Sequence, residues 1–244
     1  SNLEGLQRRV NELLRRMAEE AGLERSPEGY RASPRAMRTY QKRLLSAIFT
    51  DLADARRGRH EGVVTRDGAI PTENPFANQP APRSEIYSLG HRNMQGATIG
   101  PNGALWTNEH GPKGGDELNR PQPGKNYGWP ITSYGENYNG QPMGDGLTER
   151  ADIEQPLYYW DPVIAPGGMT FYSGVMFPDW QGDLLIGSLN PGALVRLQLE
   201  NGMVTGEERI LPDIGRIRDV EVLSDGSVLL AIDATDGGLV RLTQ

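Results

Sequence analysis

Arg92, Asn93 and Gln95 stand within Leu89-Gly90-His91-Arg92-Asn93-Met94-Gln95-Gly96, directly after a short strand-like run. A fixed cation and two amides on so short a loop can hold a carboxylate-rich or quinone ligand through a planar fork of donors. The plain alternative is a structural turn with a surface arginine. A second cluster runs from Asn108 to Asn119 through Glu109-His110-Gly111-Pro112-Lys113-Gly114-Gly115-Asp116-Glu117, with Lys125-Asn126-Tyr127-Gly128-Trp129-Pro130 close behind. Gly and Pro let successive carbonyls turn towards one point, and oxygen-only coordination suits a hard cation such as calcium. Asp116 and Glu117 add carboxylates; a solvated acidic turn is the alternative. The third cluster is Gly215-Arg216-Ile217-Arg218-Asp219-Val220. In an extended chain Arg216 and Arg218 share one side while Ile217 points to the core. Two such arginines repel unless an anion lies between them; otherwise they form a surface ladder.

Other chemistries are absent. There is no nucleophile elbow, P-loop or HExxH, and His60, His91 and His110 do not form a metal-ligand spacing. With no cysteine, disulfides, thiolate metal sites and cysteine nucleophiles are excluded.

The elements that must position these clusters differ along the chain. Leu3, Leu6, Val10, Leu13 and Met17 recur at helical steps. A break follows at Ser26-Pro27-Glu28-Gly29. Ser33 can then cap a second helix with Pro34 in its first turn, and Met37, Tyr40, Leu44, Ile48 and Leu52 form its apolar stripe. Residues 1–60 therefore read as an α-helical hairpin used for packing or for homo-oligomer assembly. The hairpin faintly resembles a stretch of some bacterial proteins with a von Willebrand type A domain, through Ser33-Pro34-Arg35-Ala36, Leu44-Leu45 and Gly58-Arg59-His60-Glu61. No metal-site motif of that domain follows.

From residue 62 the texture is β. Among 244 residues there are 31 glycines and 18 prolines, many of them in turns such as Asp225-Gly226 and Asp236-Gly237-Gly238. Strands are expected over residues 85–89, 104–107, 169–172, 183–188, 193–199, 220–223, 228–232 and 239–242. Gly182-Asp183-Leu184-Leu185-Ile186 recurs 44 residues later as Gly226-Ser227-Val228-Leu229-Leu230. Leu194-Val195-Arg196-Leu197 recurs 45 residues later as Leu239-Val240-Arg241-Leu242. Gly103-Ala104-Leu105-Trp106 lies 79 residues before Gly182, near twice that period. Such spacing is that of β-propeller blades, three to four of which fit residues 62–244. An antiparallel sandwich is the alternative.

Charge divides the same way. Residues 1–60 carry 13 Arg or Lys against 8 Asp or Glu, while the whole chain is at −7. The basic segment has no recognisable nucleic-acid motif, so a nucleic-acid partner is not expected. No run of about 18 apolar residues exists, so no membrane span is expected. Ser1 is not followed by a basic and then an apolar region, so no secretory signal is expected in this sequence.

Taken in order, the clusters resemble the soluble quinoprotein glucose and aldose sugar dehydrogenases, the glucose/sorbosone dehydrogenase group. The likeness runs through Asp67-Gly68-Ala69-Ile70-Pro71, Asn74-Pro75-Phe76, residues 85–93, 108–119, 126–130, 155–166 and 216–220. The resemblance implies a mainly β chain, the C-terminal part of a six-bladed propeller, in a periplasmic enzyme. It implies pyrroloquinoline quinone and Ca2+ as cofactors, with an aldose sugar and an external electron acceptor as partners. Hydride would pass from the sugar C1 to the quinone, giving the lactone. Arg92 would stand at the reactive carbonyl, with Asn93 and Gln95 beside it. The Gly111 and Pro112 carbonyls would hold the cofactor's calcium, with His110 adjacent. Tyr158 would line the pocket, Asn190 would face the cofactor, and Arg216 and Arg218 would pair with its carboxylates. Glu117 and the Tyr127 carbonyl would form a second, structural calcium site.

Three departures accompany the resemblance. The family's catalytic histidine lies in an upstream blade, and none of His60, His91 or His110 matches it. Asn190 stands for a lysine, and Val163 for a hydroxyl residue. Loss of a general base alone costs about 100- to 10,000-fold in rate. A non-catalytic binding or assembly module derived from the propeller is therefore the second expectation.

Overall fold

A computed structural model describes residues 70–78 and 84–244, together with the backbone of three short strands: β1 (Glu24–Ser26), β2 (Gly29–Arg31) and β3 (His60–Gly62). The two helices expected within residues 1–60 fall outside the described residues. β1 and β2 pair antiparallel at the expected break.

The described chain is a series of antiparallel meanders. β3 pairs with β4 (Ile86–Leu89). The first full sheet is β5 (Met94–Ile99), β6 (Leu105–Glu109), β7 (Asp116–Asn119) and β8 (Tyr158–Trp160). The second is β9 (Pro166–Phe171), β10 (Leu184–Ser188), β11 (Ala193–Glu200) and β12 (Met203–Ile210). The third is β13 (Ile217–Val222), β14 (Val228–Ile232) and β15 (Leu239–Leu242). The opening strand of each sheet meets the opening strand of the next, β5 against β9 and β9 against β13.

The middle sheet is covered on both faces. Leu184, Ile186, Val195 and Leu197 pack with Trp106, Leu118 and Trp160 of the first sheet. Leu185 and Leu194 pack with Ile217, Val220, Val228 and Leu230 of the third. Alternate residues of β10 thus enter two different cores, which is why Leu184-Leu185-Ile186 is apolar without interruption. Serial stacking of three sheets excludes the two-sheet sandwich. β12 lies at the outer edge and is correspondingly polar.

The 44- and 45-residue repeats match β10 with β14 and β11 with β15. The 79-residue interval corrects the reading of two periods. β6 and β10 are second strands of neighbouring sheets, and residues 120–157, inserted between β7 and β8, lengthen that single step. This insertion is tied back by Lys113 to Glu136 at 2.5 Å and closed within itself by Lys125 to Glu154 at 2.8 Å.

Two glycines allow the inner strands to approach closely. A Cβ on Gly96 would lie 2.5 Å from the Gly167 carbonyl oxygen, and one on Gly167 would lie 2.5 Å from the Arg218 carbonyl oxygen. The positions just before β5, after β6, before β9, after β10, before β13 and after β14 consequently gather at one end of the sheets. Arg92, His110, Asn190, Arg216 and Asp233 occupy them, together with Pro166, the first residue of β9.

Candidate functional site

Arg92 and Asn93 immediately precede β5, and a buried carboxylate fixes them there. Glu109, at the end of β6, accepts the Arg92 amide at 2.6 Å and the Asn93 amide at 3.4 Å through Oε2. Its Oε1 accepts from His91 Nδ1 and from Asn119 Nδ2, both at 3.0 Å. Burial pushes the Glu109 carboxyl up, but the His91 hydrogen bond and charge, with the two amides, hold it below the usual carboxylate range. His91 is itself buried, bonded to Ser88 Oγ at 2.8 Å and stacked on Tyr127 at 4.9 Å between ring centroids.

The Arg92 side chain turns to the same neighbourhood. Its Nη1 donates to the His110 carbonyl at 2.8 Å, and its guanidinium lies 5.1 Å from the Trp129 ring centroid. Asn93 accepts the His110 amide at 2.9 Å, and Gln95 Nε2 donates to Asn93 Oδ1 at 2.9 Å. Gln95 lies within β5 rather than on a loop. The Asn108–Asn119 stretch is also more ordered than a loop: β6 reaches Glu109, β7 begins at Asp116, and only residues 110–115 turn.

Asp116 organises that turn. Its Oδ1 accepts the Gly111 amide at 2.9 Å, while Oδ2 accepts those of Ile164 at 2.8 Å and Ala165 at 2.7 Å. One carboxylate therefore joins the bend after β6 to the bend before β9. Burial pushes its carboxyl up against the lowering effect of those amides. His110 Nε2 donates to the Pro166 carbonyl at 2.8 Å, adding a second tie across the same gap.

A cleft opens between the turn after β6, Gly90 and Arg92 before β5, and residues 127–133 of the insertion. Arg92, His110, Gly111, Glu117 and Tyr127 line it with Glu109, Trp129, Thr132 and Ser133. Five of the residues expected for ligand or metal are therefore brought together. Among the described residues Glu117 is bonded only through Oε2, to Asn119 Nδ2 at 3.0 Å. Its carboxyl is pushed up to about 8, by burial first and then by the charges of Glu109 and Asp116. A desolvated carboxyl beside two other acids, with lone pairs to spare, fits a hard cation. Among the described residues no group of three His, Asp or Glu side chains could hold a metal. A cation here would rely on Glu117 and backbone carbonyls, an oxygen-only donor set that suits calcium.

The remaining expected residues are placed differently. Pro112 is buried beside Gly111 without lining the cleft. Asn190 is exposed after β10, its amide bonded to the Ile164 carbonyl at 3.1 Å. Arg216 and Arg218 do share a side, and Ile217 is fully buried opposite them. Their anion comes from the chain itself: Asp233 Oδ2 accepts Arg218 Nη2 at 2.6 Å and Arg216 Nη2 at 3.4 Å. Arg216 Nη1 also donates to the Leu189 carbonyl at 3.2 Å. Tyr158 is not brought to the cleft. It sits on the last strand of its sheet, edge-on to Trp160 at 5.1 Å, with its hydroxyl beside Glu207 of β12.

Sequence reasoning missed Glu109 and Asp233 as partners of these arginines, and Trp129 beneath Arg92. An isolated carboxylate far along the chain carries no signal of what it will meet. Glu109 lies within the Asn108–Asn119 cluster, and its place at a strand end was the available clue.

The chain has clear relatives. The family model described as Glucose / Sorbosone dehydrogenase matches residues 53–241. Aldose sugar dehydrogenase YliI of Escherichia coli (strain K12) is 44% identical over 183 residues, covering 74% of this chain and 49% of the relative. The crystal structure of the soluble aldose sugar dehydrogenase from Escherichia coli, in its apo form, is 42% identical with a TM-score of 0.71, covering 75% of this chain and 53% of that one. The PQQ-bound aldose sugar dehydrogenase of Streptomyces coelicolor is 26% identical with a TM-score of 0.57, covering 80% and 55%. The chain spans about half the length of the curated relatives it matches. With the fold and the ordered clusters in agreement, the chain belongs to the glucose/sorbosone dehydrogenase family.

Proposed function

We propose that this chain forms the cofactor-holding part of a pyrroloquinoline-quinone- and calcium-dependent aldose dehydrogenase, with its three stacked sheets as propeller blades. The observation that carries this reading is the cleft lined by Arg92, His110, Gly111, Glu117 and Tyr127 at the common end of the sheets. The bound quinone would supply a two-electron acceptor for hydride from C1 of an aldose, giving the lactone. Arg92 would orient and polarise the acceptor carbonyl. Asn93 and Gln95, already bonded to each other, would present amide groups beside it. Gly111 and Pro112 would offer carbonyls to the cofactor's calcium, and Glu117 with the Tyr127 carbonyl would hold a second calcium. Arg216 and Arg218 would meet the cofactor's carboxylates, with Asn190 nearby. Periplasmic placement and an external electron acceptor follow from the same family reading.

Proton removal from the sugar has no evident agent among the described residues. His91 is committed to Glu109 and Ser88, and His110 Nε2 to the Pro166 carbonyl. This favours a second reading, in which the chain binds quinone and calcium without efficient turnover. Titrating the purified protein with pyrroloquinoline quinone and Ca2+, then adding glucose and an artificial dye acceptor, tests both. Calcium-dependent quinone binding is expected in either case. Sustained dye reduction supports the dehydrogenase, binding alone supports the module, and absence of binding refutes both.

A further inference from the structure

Two glutamates line the cleft, and their hydrogen bonds give them different tasks. A carboxylate offers about four lone-pair sites. Glu109 has all four filled from within the chain, by His91 Nδ1, Asn119 Nδ2 and the amides of Arg92 and Asn93. Among the described residues Glu117, which also lines the cleft, receives a single donor, Asn119 Nδ2. Asn119 bridges them by donating to both, and its own Oδ1 is left buried without a partner among the described residues. An amide that forgoes a bond to its oxygen in order to donate twice is placed for the carboxylates.

We propose that Glu109 is a positioning residue, not a cation ligand: it clamps the Arg92 and Asn93 backbone so that both side chains are presented to an anionic ligand. This rests on the quinone reading of the cleft only for the identity of that ligand. The clamp starts at Ser88, passes through His91 to Glu109, and ends on two successive amides just before β5. Arg92 is held at both ends, its amide on Glu109 and its Nη1 on the carbonyl of the following residue, His110. With the backbone fixed, the guanidinium loses less freedom when it meets an anion, which is where the affinity arises.

Three readouts test this on the full chain: amide hydrogen exchange at Arg92 and Asn93, terbium(III) binding, and pyrroloquinoline quinone binding followed by tryptophan fluorescence. Glu109→Gln is expected to speed exchange at both amides about tenfold or more and to weaken quinone binding about tenfold. Its terbium affinity is expected to fall no more than about threefold, from lost charge alone. Glu117→Gln is expected to lose terbium affinity by at least about tenfold while leaving the two amides protected. Should Glu109→Gln not fold, His91→Leu removes one of the four donors and is expected to shift exchange about threefold in the same direction. Unchanged exchange at Arg92 and Asn93, or a terbium loss in Glu109→Gln equal to that in Glu117→Gln, overturns the clamp. If the unmutated chain binds no quinone, the cofactor reading fails while the exchange measurement still decides the clamp.

Discussion

The first and third sheets each offer arginine at the same end of the molecule, yet they hold it in opposite ways. Before β5, Arg92 is anchored through a buried carboxylate, a buried histidine, a tryptophan face and a neighbouring carbonyl. At the start of β13, the side chains of Arg216 and Arg218 are 52% and 30% exposed and share one oxygen of Asp233. Burial fixes a group against water at the cost of a full set of partners, whereas exposed pairs hold direction loosely and remain free to exchange anions. The buried end is suited to a fixed geometry and the exposed end to capturing charge.

The strongest way to break the contrast is to remove the brace behind the buried end. Asp116→Ala would leave three amides without acceptors, and we expect a loss of about 3–5 kcal/mol in denaturant unfolding. Disrupting the seam between the two ends ranks next. Gly167→Ala places a Cβ 2.5 Å from the Arg218 carbonyl oxygen, and the forced shift of β9 from β13 should cost about 1–3 kcal/mol in the same measurement.

A pH titration sharpens the difference between the ends. Glu117 has its carboxyl raised to about 8 in the folded chain, so the neutral form is favoured on folding. Its contribution is present at acidic pH and is lost as pH rises from the ordinary carboxylate range through about 8. Stability in chelator should therefore decline over that window, calcium should reverse the decline, and Glu117→Gln should flatten it. Asp233 behaves oppositely: desolvation acts upward, but the Arg218 bond and the charges of Arg218 and Arg216 hold it below its usual range. The smallest effect is expected there. Asp233→Asn should change unfolding free energy by less than about 1 kcal/mol, because the pairs are exposed, and that difference should shrink in salt.

Much of the architecture was legible because periodicity reports burial. The strands expected at residues 228–232 and 239–242 match β14 and β15 in extent, and the other expected strands overlap β4, β6, β9, β10, β11 and β13. Besides the short β1, β2 and β3, four strands were not anticipated. Asp116-Glu117-Leu118-Asn119 reads as an acidic turn because three of its four residues serve hydrogen bonds rather than a core. Met94–Ile99 contains a glycine needed for strand approach, Tyr158–Trp160 is short, and Met203–Ile210 is a polar edge.

The sequence by itself determined the order of clusters, the sheet repeat and the family, since these depend on residue type and spacing along one chain. It also fixed that Arg216 and Arg218 share a side, a consequence of strand alternation. The tertiary structure alone decided which charges meet: that Glu109 closes on Arg92, that Asp233 lies between the two later arginines, and that Tyr158 sits away from the cleft. Such partners come from separate strands, and pairing across space is set by how sheets stack, which no local pattern encodes.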